Sequence, residues 1–187
     1  MRLMKSPSPE AEQLYEESFP LCERRTAAQH RAIAAEESDF YPMELHDSAG
    51  VFVGILYYWY WPQHKLLFVE HLAIVPSFRG KGYGHAALRQ LQQMNACIIL
   101  EIEPVKDAAT ARRLAFYESA GFVRLPFEHV QLPYHIGGAP VQLELLSRSA
   151  DGAPAPAAQV ELLEHLLRTR VMLSPSTSSS PHSSESP

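Results

Sequence analysis

The chain has 187 residues, of which 46% are hydrophobic and 20% charged, and this composition is typical of one soluble globular domain. Its 16 Lys and Arg residues against 21 Asp and Glu residues give a formal net charge of −5, which argues against general nucleic-acid binding and leaves small cationic substrates open. Cys22 and Cys97 lie far apart without a CxxC pattern, so we expect no disulfide framework, no metal site and a reducing, cytoplasmic location.

The first half of the chain predicts helices followed by strands. Two Ala- and Glu-rich segments are separated by Pro20, and three runs of β-branched and aromatic residues follow, joined by short turns. The most apolar run, 51–61, is too short to cross a bilayer as a helix, and no long apolar stretch follows Met1, so neither a membrane partner nor a signal peptide is expected. The predicted elements are helices over 9–19 and 24–37 and antiparallel strands over 40–45, 51–60 and 66–75, with a short first strand over 2–5.

The second half alternates helices and strands. A glycine-rich loop precedes a helix whose apolar stripe holds Leu88, Leu91 and Met94, and a buried strand is predicted over 97–102. Asp107 is a plausible N-cap for the next helix, which Gly121 would end. Strands over 122–125 and 141–146 complete a mixed, mostly antiparallel α/β sheet flanked by helices.

The C-terminal part has a different composition. We expect a domain body over 1–148 and a linker over 149–158, and apolar residues at helical spacing predict an amphipathic helix over 159–173. This helix is expected to lie on its own domain rather than to serve as a partner site. The Ser- and Pro-rich segment 174–187 is too poor in apolar residues to form a core, so it is predicted to be disordered.

The glycine-rich loop is the first candidate for a function. It reads Arg79-Gly80-Lys81-Gly82-Tyr83-Gly84 between a predicted strand and a predicted helix. Glycines let backbone N–H groups approach a ligand, and a helix N-terminus with nearby cations favours phosphate groups. The alternative is a plain strand-to-helix turn, in which Lys81 would simply be solvated.

Two known nucleotide-binding patterns were compared with this loop. The spacing GxxxxGK[ST] of a P-loop does not occur. The segment 82–87 fits GxGxx[GA], with Glu103 about twenty residues further on, which is the pattern of dinucleotide-binding proteins. The strand ends too far before Gly82, and the preceding strands look antiparallel, so a nicotinamide-dependent enzyme is kept only as an alternative.

Three segments in order resemble another family. The spacing Arg79-x-x-Gly82-x-Gly84 resembles the pyrophosphate loop of the GNAT N-acetyltransferase superfamily, and the segments 70–76 and 116–122 resemble the strand before that loop and the later YxxxGF segment. The element order is similar as well, over about residues 1–147. The segments 18–25 and 131–134 are similar to those of small bacterial members, whose acceptors are unassigned.

The resemblance implies a GNAT-like sheet with splayed central strands and acetyl-CoA as cofactor. The pantetheine arm would pair with the backbone of Leu72, Ala73 and Ile74, the pyrophosphate would bind residues 79–84, and Phe116 would contact the cofactor. Many relatives have an Asn after the strand over 97–102, where this chain has a longer segment without one. Lys106, Asp107 or Thr110 are the candidate replacements, and this departure motivates a second hypothesis, a catalytically silent CoA-binding or regulatory module.

Acetyl transfer to an amine requires two proton transfers. The amine must lose a proton before it attacks, and the leaving thiolate departs more easily when it is protonated. By resemblance, Tyr117 is the acid that faces the CoA sulfur; the alternative is a core aromatic residue beside Leu114. Direct transfer to a primary amine, with a small amine or an amino acid favoured, is the implied reaction.

Two strand glutamates are candidates for the base. Alternation places Glu101 and Glu103 on one face, and Glu70 on one face with Leu72 and Ile74. A glutamate inside an apolar strand usually has a partner or a task. Glu101 also resembles the strand glutamate that serves as base in some family members, and Glu70 lies two residues after another family base position, so we favour Glu101, then Glu70. The alternatives are ion pairs with Arg112 or Arg113, exposure to water, or a water chain that replaces either base.

The histidines and the oligomeric state complete the expectations. His71 is predicted to lie on the strand face opposite Glu70, while His129 and His135 belong to a late loop that is either solvated or lines the acceptor pocket. The resemblance also allows a homodimer, with the helix over 159–173 as one candidate interface.

Overall fold

A computed structural model describes residues 1–5, 7–135 and 137–171 of the chain, so the predicted tail over 174–187 and the end of the last predicted helix lie outside the described residues. Strands and helices alternate along the chain, with short 3₁₀ turns at Leu21–Glu23, Pro62–His64 and Pro76–Phe78. The elements are β1 (Arg2–Lys5), α1 (Pro9–Ser18), α2 (Ala27–Glu36), β2 (Phe40–His46), β3 (Phe52–Trp61), β4 (Leu66–Ile74), α3 (Tyr83–Gln92), β5 (Cys97–Ile102), α4 (Ala108–Ser119), β6 (Val123–Arg124), β7 (His129–Gln131), β8 (Val141–Arg148) and α5 (Ala157–Leu166), which continues as a π-helical turn over Leu167–Val171.

Most predicted elements are present, and the differences lie at their ends. Helix α2 begins at Ala27 rather than at residue 24, because Thr26 forms a capping box with Gln29. Asp107 caps α4 in the same way, as predicted. Strand β7 was not predicted, since three residues are too few to show a pattern.

The eight strands form a mixed, mostly antiparallel sheet, and the predicted fold class is confirmed. The order is β1-β2-β3-β4-β5-β8-β6, with β7 paired to β8. Within this sheet the pair β4–β5 is parallel and is connected through α3. The glycine loop therefore stands in a strand–helix–strand unit, contrary to the expectation from the antiparallel strands before it, but a 3₁₀ turn separates the loop from the end of β4.

The central strands diverge, which confirms the predicted splay. Parallel pairing joins Leu66–Val69 to Cys97–Leu100 and stops there. Beyond this point β4 stays paired with β3 as far as Ile74, while β5 pairs with β8 as far as Ile102. The edge of β4 that faces β5 is consequently left open at residues 70–74.

A β-bulge in β4 changes which side chains share a face. Tyr57 pairs with His71 and Tyr58 with Val69, so Glu70 is the extra residue. The bulge turns Glu70 and His71 toward the same side, where they contact Trp59 and the α1 residue Tyr15, respectively. The predictions that His71 lies opposite Glu70 and that Glu70 shares a face with Leu72 and Ile74 are therefore wrong, because an extra residue shifts the alternation.

Helices cover both faces of the sheet. One apolar cluster lies between the sheet and α1, α2 and α5, and includes the fully buried Trp59 and Phe68. The other lies beneath α3 and α4 and includes Leu88 and Leu100. The glycine loop and the open edge of β4 lie at the margin of this second cluster.

Helix α5 lies on the body of the domain. Its apolar residues Val160, Leu163 and Leu166 are buried in the first cluster, and Ala155, in the predicted linker, is buried with its N–H donated to Ser147 Oγ at 2.9 Å. Since this apolar face is used inside the chain, the homodimer interface considered there would need another surface. In residues 1–5, 7–135 and 137–171, no helix combines the length and apolar character needed to cross a membrane.

Candidate functional site

A cleft of about 620 Å³ opens where β4 and β5 diverge. Its walls come from residues 69–74 of β4, the glycine loop, the end of β5 and the aromatic pair Phe116 and Tyr117 of α4. The cleft also reaches Ser18, Phe19 and Glu23 near the end of α1. The divergence of two strands thus brings most of the predicted site residues to one cavity.

The glycine loop presents its backbone to this cleft. Gly82 is the N-cap of α3 with a φ of 82°, and Gly80 has a φ of 73°, both in the left-handed region that glycine favours. Arg79 lines the cleft, and its Nε donates to the carbonyl of Ile74 at 3.0 Å. The N-terminus of α3 and one guanidinium group therefore meet at the open end of β4.

Two loop residues predicted to bind the cofactor point elsewhere. Lys81 is exposed and its ammonium group lies 4.9 Å from the centre of the Phe78 ring. The Tyr83 ring packs edge-on to the same Phe78 at 5.9 Å. Among the described residues, the loop contribution to the cleft lining is Arg79, Gly80, Gly82 and Gly84.

Gly84 allows α4 to approach α3. A Cβ at this position would lie 2.9 Å from Cζ of Phe116, closer than side chains tolerate. The Phe116 ring also packs against His85 at 4.7 Å. Phe116 and Gly84 therefore form one continuous wall of the cleft.

Tyr117 lies next on this wall, with its ring 4.9 Å from Phe116 and 5.8 Å from Phe122. The residue is half-buried and lines the cleft. Burial raises the pKa of its hydroxyl to about 12, because the phenolate loses hydration. The hydroxyl therefore holds its proton at neutral pH, as a proton donor must.

Glu70 is the centre of a buried network. Its Oε1 accepts from Arg25 at 2.6 Å and from the Tyr134 hydroxyl at 2.9 Å, while Oε2 accepts from Trp59 Nε1 at 3.0 Å. Burial opposes ionisation, but Arg25, His71 and the donated hydrogen bonds outweigh it, so the pKa of Glu70 is lowered. A second Arg25 nitrogen donates to the carbonyl of Val171, which ties the network to the C-terminal turn.

Glu101 lies across the cleft in a different setting. Its Oε1 is 2.5 Å from His129 Nε2, and its Oε2 accepts from Gln131 Nε2 at 3.0 Å. The other nitrogen of His129, Nδ1, is 2.5 Å from Glu164 of α5. Burial of the ring opposes its charge, but Glu101 and Glu164 outweigh this and raise the pKa of His129.

Two further carboxylates, Glu23 and Glu103, line the cleft. Glu103 forms ion pairs with Lys106 at 2.9 Å and with Arg113 at 2.7 Å. The partner of Arg113 is therefore Glu103 rather than Glu70 or Glu101. Burial, followed by the charge of Glu103, raises the pKa of Glu23 despite the nearby cations. Glu103 is thus compensated by two cations, and Glu23 is the carboxylate at the opening that a positively charged ligand would meet.

The three candidates for the missing Asn contact are engaged in local structure. Asp107 accepts from the backbone of Ala109 and Thr110 at the start of α4. Thr110 accepts from the backbone of Lys106 and Asp107, and the Lys106 ammonium binds Glu103. The altered segment is thus a helix cap.

The histidines differ from the sequence-based prediction. His129 is 1% exposed rather than solvated, because β7 carries it beneath α5. His71 is buried with its Nε2 hydrogen-bonded to the carbonyl of Glu23 at 3.0 Å, and burial lowers its pKa. His135 Nε2 bridges the carbonyls of Leu21 and Arg24, each at 2.9 Å.

Four site residues were not identified from the sequence: Arg25, Gln131, Tyr134 and Glu164. Arg25 and Tyr134 bind Glu70, whereas Gln131 binds Glu101 directly and Glu164 binds it through His129. The sequence did contain a signal for Arg25, Gln131 and Tyr134, because they lie in the segments 18–25 and 131–134, which are similar to those of small bacterial family members. Glu164 gave none, because one glutamate on an amphipathic helix resembles any solvated residue.

Two comparisons of the sequence with known proteins indicate the same family. Residues 32–124 match the model of the family described as "Acetyltransferase (GNAT) domain". Over 117 residues, or 62% of the chain, the sequence is 32% identical to "Putative acetyltransferase YjbC" of Bacillus subtilis (strain 168). This match spans 55% of that protein's length.

Solved structures extend the likeness to nearly the whole chain. A "Putative acetyltransferase from GNAT family from Bacteroides thetaiotaomicron" has a TM-score of 0.81 at 25% identity, covering 92% of this chain and 98% of that one. The spermidine N-acetyltransferase of Vibrio cholerae in complex with CoA and spermine has a TM-score of 0.59 at 11% identity, covering 81% and 96%. The second likeness is one of fold alone.

Proposed function

Since the chain belongs to the GNAT acetyltransferase family, we propose that it transfers an acetyl group from acetyl-CoA directly to a small primary amine or an amino acid. The observation that carries this proposal is the cleft itself. There a cationic helix N-terminus and an open strand edge lie beside a protonated tyrosine, Tyr117, and a glutamate, Glu101. The proposed location is the cytoplasm, which suits the free thiols of Cys22 and Cys97.

The residues present fit acetyl-CoA, which when bound supplies an acetyl thioester ready for transfer. The open edge of β4 at Leu72, Ala73 and Ile74 offers backbone groups to an extended amide chain, as an added strand would use them. N–H groups of residues 80–84 and the Arg79 guanidinium suit a pyrophosphate at the start of α3. A side chain at Gly84 would collide with Phe116, so this wall is shaped for close backbone approach.

Tyr117 is the proposed acid. Its hydroxyl is protonated at neutral pH because burial disfavours the phenolate, and it lines the cleft beside Phe116. Among the described residues, no protein group is hydrogen-bonded to this hydroxyl, so its proton is free for the leaving sulfur. A well-placed acid contributes roughly 10²–10⁴-fold to such a step.

Glu101 is the proposed base, in preference to Glu70. An ionised carboxylate has about four acceptor sites. Glu101 uses one for His129 and one for Gln131, which leaves sites for a substrate ammonium. Glu70 already accepts from Arg25, Tyr134 and Trp59, and its lowered pKa disfavours its protonation. In the proposed step an ammonium N–H bond breaks and the proton goes to a carboxylate oxygen of Glu101.

The charge of the cleft supports an amine acceptor. Glu23, Glu101 and Glu103 all line it, and the raised pKa of Glu23 reflects burial and the charge of Glu103. An ammonium group would relieve this repulsion, whereas a neutral alcohol would not.

A catalytically silent CoA-binding module is the second hypothesis, and product formation separates the two. A thermal-shift titration with acetyl-CoA, CoA and NAD(H) tests the cofactor, because a ligand of the native state raises the melting temperature. A panel of amines, amino acids and alcohols then tests transfer by release of free thiol, with mass spectrometry of the products. We expect stabilisation by acetyl-CoA and CoA, none by NAD(H), and thiol release that depends on an amine. Stabilisation without thiol release for any acceptor would favour the silent module, and stabilisation by NAD(H) alone would overturn the proposal.

A further inference from the structure

Helix α5 reaches the cleft through three connected side chains. Glu164 Oε1 lies 2.5 Å from His129 Nδ1, and His129 Nε2 lies 2.5 Å from Glu101 Oε1. The side chains are 27%, 1% and 8% exposed, respectively. The connection therefore runs from a partly exposed carboxylate of α5 through a buried ring to a carboxylate that lines the cleft.

The two contacts determine the charge of the ring. Ionised carboxylates only accept hydrogen bonds, so each gap between a ring nitrogen and a carboxylate oxygen requires a proton. Two protons on one ring make an imidazolium, held between Glu101 and Glu164. The raised pKa of His129 agrees with this arrangement, because the two carboxylates outweigh the effect of burial.

Other groups near the ring come from four directions. Gln131 of β7 donates to Glu101 Oε2 at 3.0 Å, and Arg168 of the π-helical turn after α5 lies 3.7 Å from Glu164 Oε2. The buried Tyr134 hydroxyl, from the segment after β7, interacts with Glu101 of β5 through space. Only Glu101 and Glu164 among these contact the ring nitrogens, so they set its charge.

We propose that His129 and Glu164 are positioning residues for Glu101, and that Glu164 keeps the ring charged so that its Nε2–H holds Glu101 toward the cleft. This inference rests on the proposed function of Glu101. If the ring loses one proton, the remaining proton can move to Nδ1, and the Nε2 lone pair then faces the Glu101 carboxylate. The hydrogen bond from Nε2–H to Glu101 is therefore secure only while the ring is charged. Through Glu164, the C-terminal helix α5 becomes part of the active site.

Glu164→Gln tests the inference with little change of shape. The amide removes one charge from beside the ring, so the midpoint of His129 titration should fall by about one pH unit or more. We expect kcat of the wild-type chain to break downward as pH rises through this midpoint, and both the break and the midpoint to move down together in Glu164→Gln. The midpoint is read directly from the ring ¹⁵N and ¹H resonances, which needs no turnover.

Two further variants complete the design. Glu161→Gln lies one turn earlier on α5 in an exposed position and should change neither the midpoint nor the break. His129→Gln keeps an amide donor for Glu101 but does not titrate, so the break should disappear. Melting temperatures and CoA affinity of all variants check that the fold and the cofactor site are intact.

The outcomes are distinguishable. A break that stays in place while the midpoint of Glu164→Gln falls would show that the ring charge does not control Glu101, and a midpoint that stays in place would show that Glu164 does not hold the ring. Either result overturns the inference. A wild-type chain that acetylates no amine would overturn the proposed function alone, since the fall of the midpoint would still support the coupling of α5 to the ring.

Discussion

The bulge of β4 and the end of β5 each bring a glutamate to the cleft, and the two glutamates accept hydrogen bonds from different kinds of donor. Glu70 is fixed by an arginine and two neutral donors, all from buried side chains. Glu101 is held by a histidine and an amide, and the histidine is itself held from α5. The difference teaches that a strand glutamate surrounded by apolar residues can be a structural anion or a reactive group, and its partners decide which.

Glu101→Gln should produce the largest effect. Loss of the proton acceptor is expected to lower kcat by roughly 10²–10⁴-fold, while the affinity for CoA stays nearly unchanged. Steady-state kinetics with the best amine of the panel, together with CoA titration calorimetry, measure both. A variant with near-normal kcat would transfer the base role to a water chain.

Glu70→Gln should act on stability rather than primarily on chemistry. The amide leaves the Arg25 guanidinium buried without its counter-ion, and breaking such a pair costs about 3–5 kcal/mol. Urea denaturation measures the loss. The exposed Glu36→Gln is the control and should stay within about 0.5 kcal/mol of the wild type. A fully stable Glu70→Gln with strongly reduced kcat would reverse the roles of the two glutamates.

Tyr117→Phe should reduce kcat by roughly 10²-fold, the lower end of the range for a general acid. The ring contacts with Phe116 and Phe122 stay, so stability and CoA affinity should change little. The comparison of kcat with the CoA dissociation constant separates an acid from a packing residue. Equal kcat in the two proteins would remove Tyr117 from the reaction.

Gly82→Ala should weaken cofactor binding, with a matched control in the chain. Gly82 and Gly50 have φ values of 82° and 84°, and a Cβ meets nothing within 4 Å at either position. Alanine should therefore cost about 1–2 kcal/mol of stability at both. Only Gly82→Ala should also raise the dissociation constant of CoA, since Gly50 lies in the turn between β2 and β3. Equal CoA affinity in both variants would make the glycine loop a plain turn.

The pH dependence of the free energy of unfolding should also distinguish the two glutamate networks, with a smaller effect than the substitutions above. The pKa of Glu70 is lowered from 4.5, so its network stabilises the fold above that pH and loses this effect as pH falls through the lower folded value. The pKa of His129 is raised from 6.5, so its contacts stabilise the fold below that pH and lose this effect as pH rises through the higher folded value. Urea unfolding from pH 3 to 9 should show both limbs, with Glu70→Gln flattening the acid limb and Glu164→Gln the alkaline one. If Glu70→Gln flattened the alkaline limb of this pH profile and Glu164→Gln the acid limb, the result would contradict this prediction.

Local sequence signals identified much of the site. The glycines, Arg79, Phe116 and Tyr117 stand in short segments that resemble those of GNAT acetyltransferases, and the structure brings them to one cavity. The same signals could not predict where the side chains of Lys81 and Tyr83 point, because the direction of a loop side chain depends on its neighbours. Here both side chains pack on Phe78.

The long-range partners of the glutamates could not be predicted. Arg25 lies 45 residues from Glu70 in the sequence, and His129 lies 28 from Glu101. A bulge of one residue in β4 was enough to reverse the expected face of Glu70 relative to Leu72 and Ile74. Pairing across such distances leaves no periodic trace in a single sequence.

The sequence by itself determined most of the elements, the mixed sheet and the glycine loop, because hydrophobic period, helix caps and glycines act over a few neighbouring residues. Only the tertiary structure decided which hydrogen-bond donors surround each buried carboxylate. The charge and availability of a buried glutamate depend on which donors surround it. Here those donors come from the segment before α2, from β3, and from β7 and the segment after it, with α5 holding the histidine.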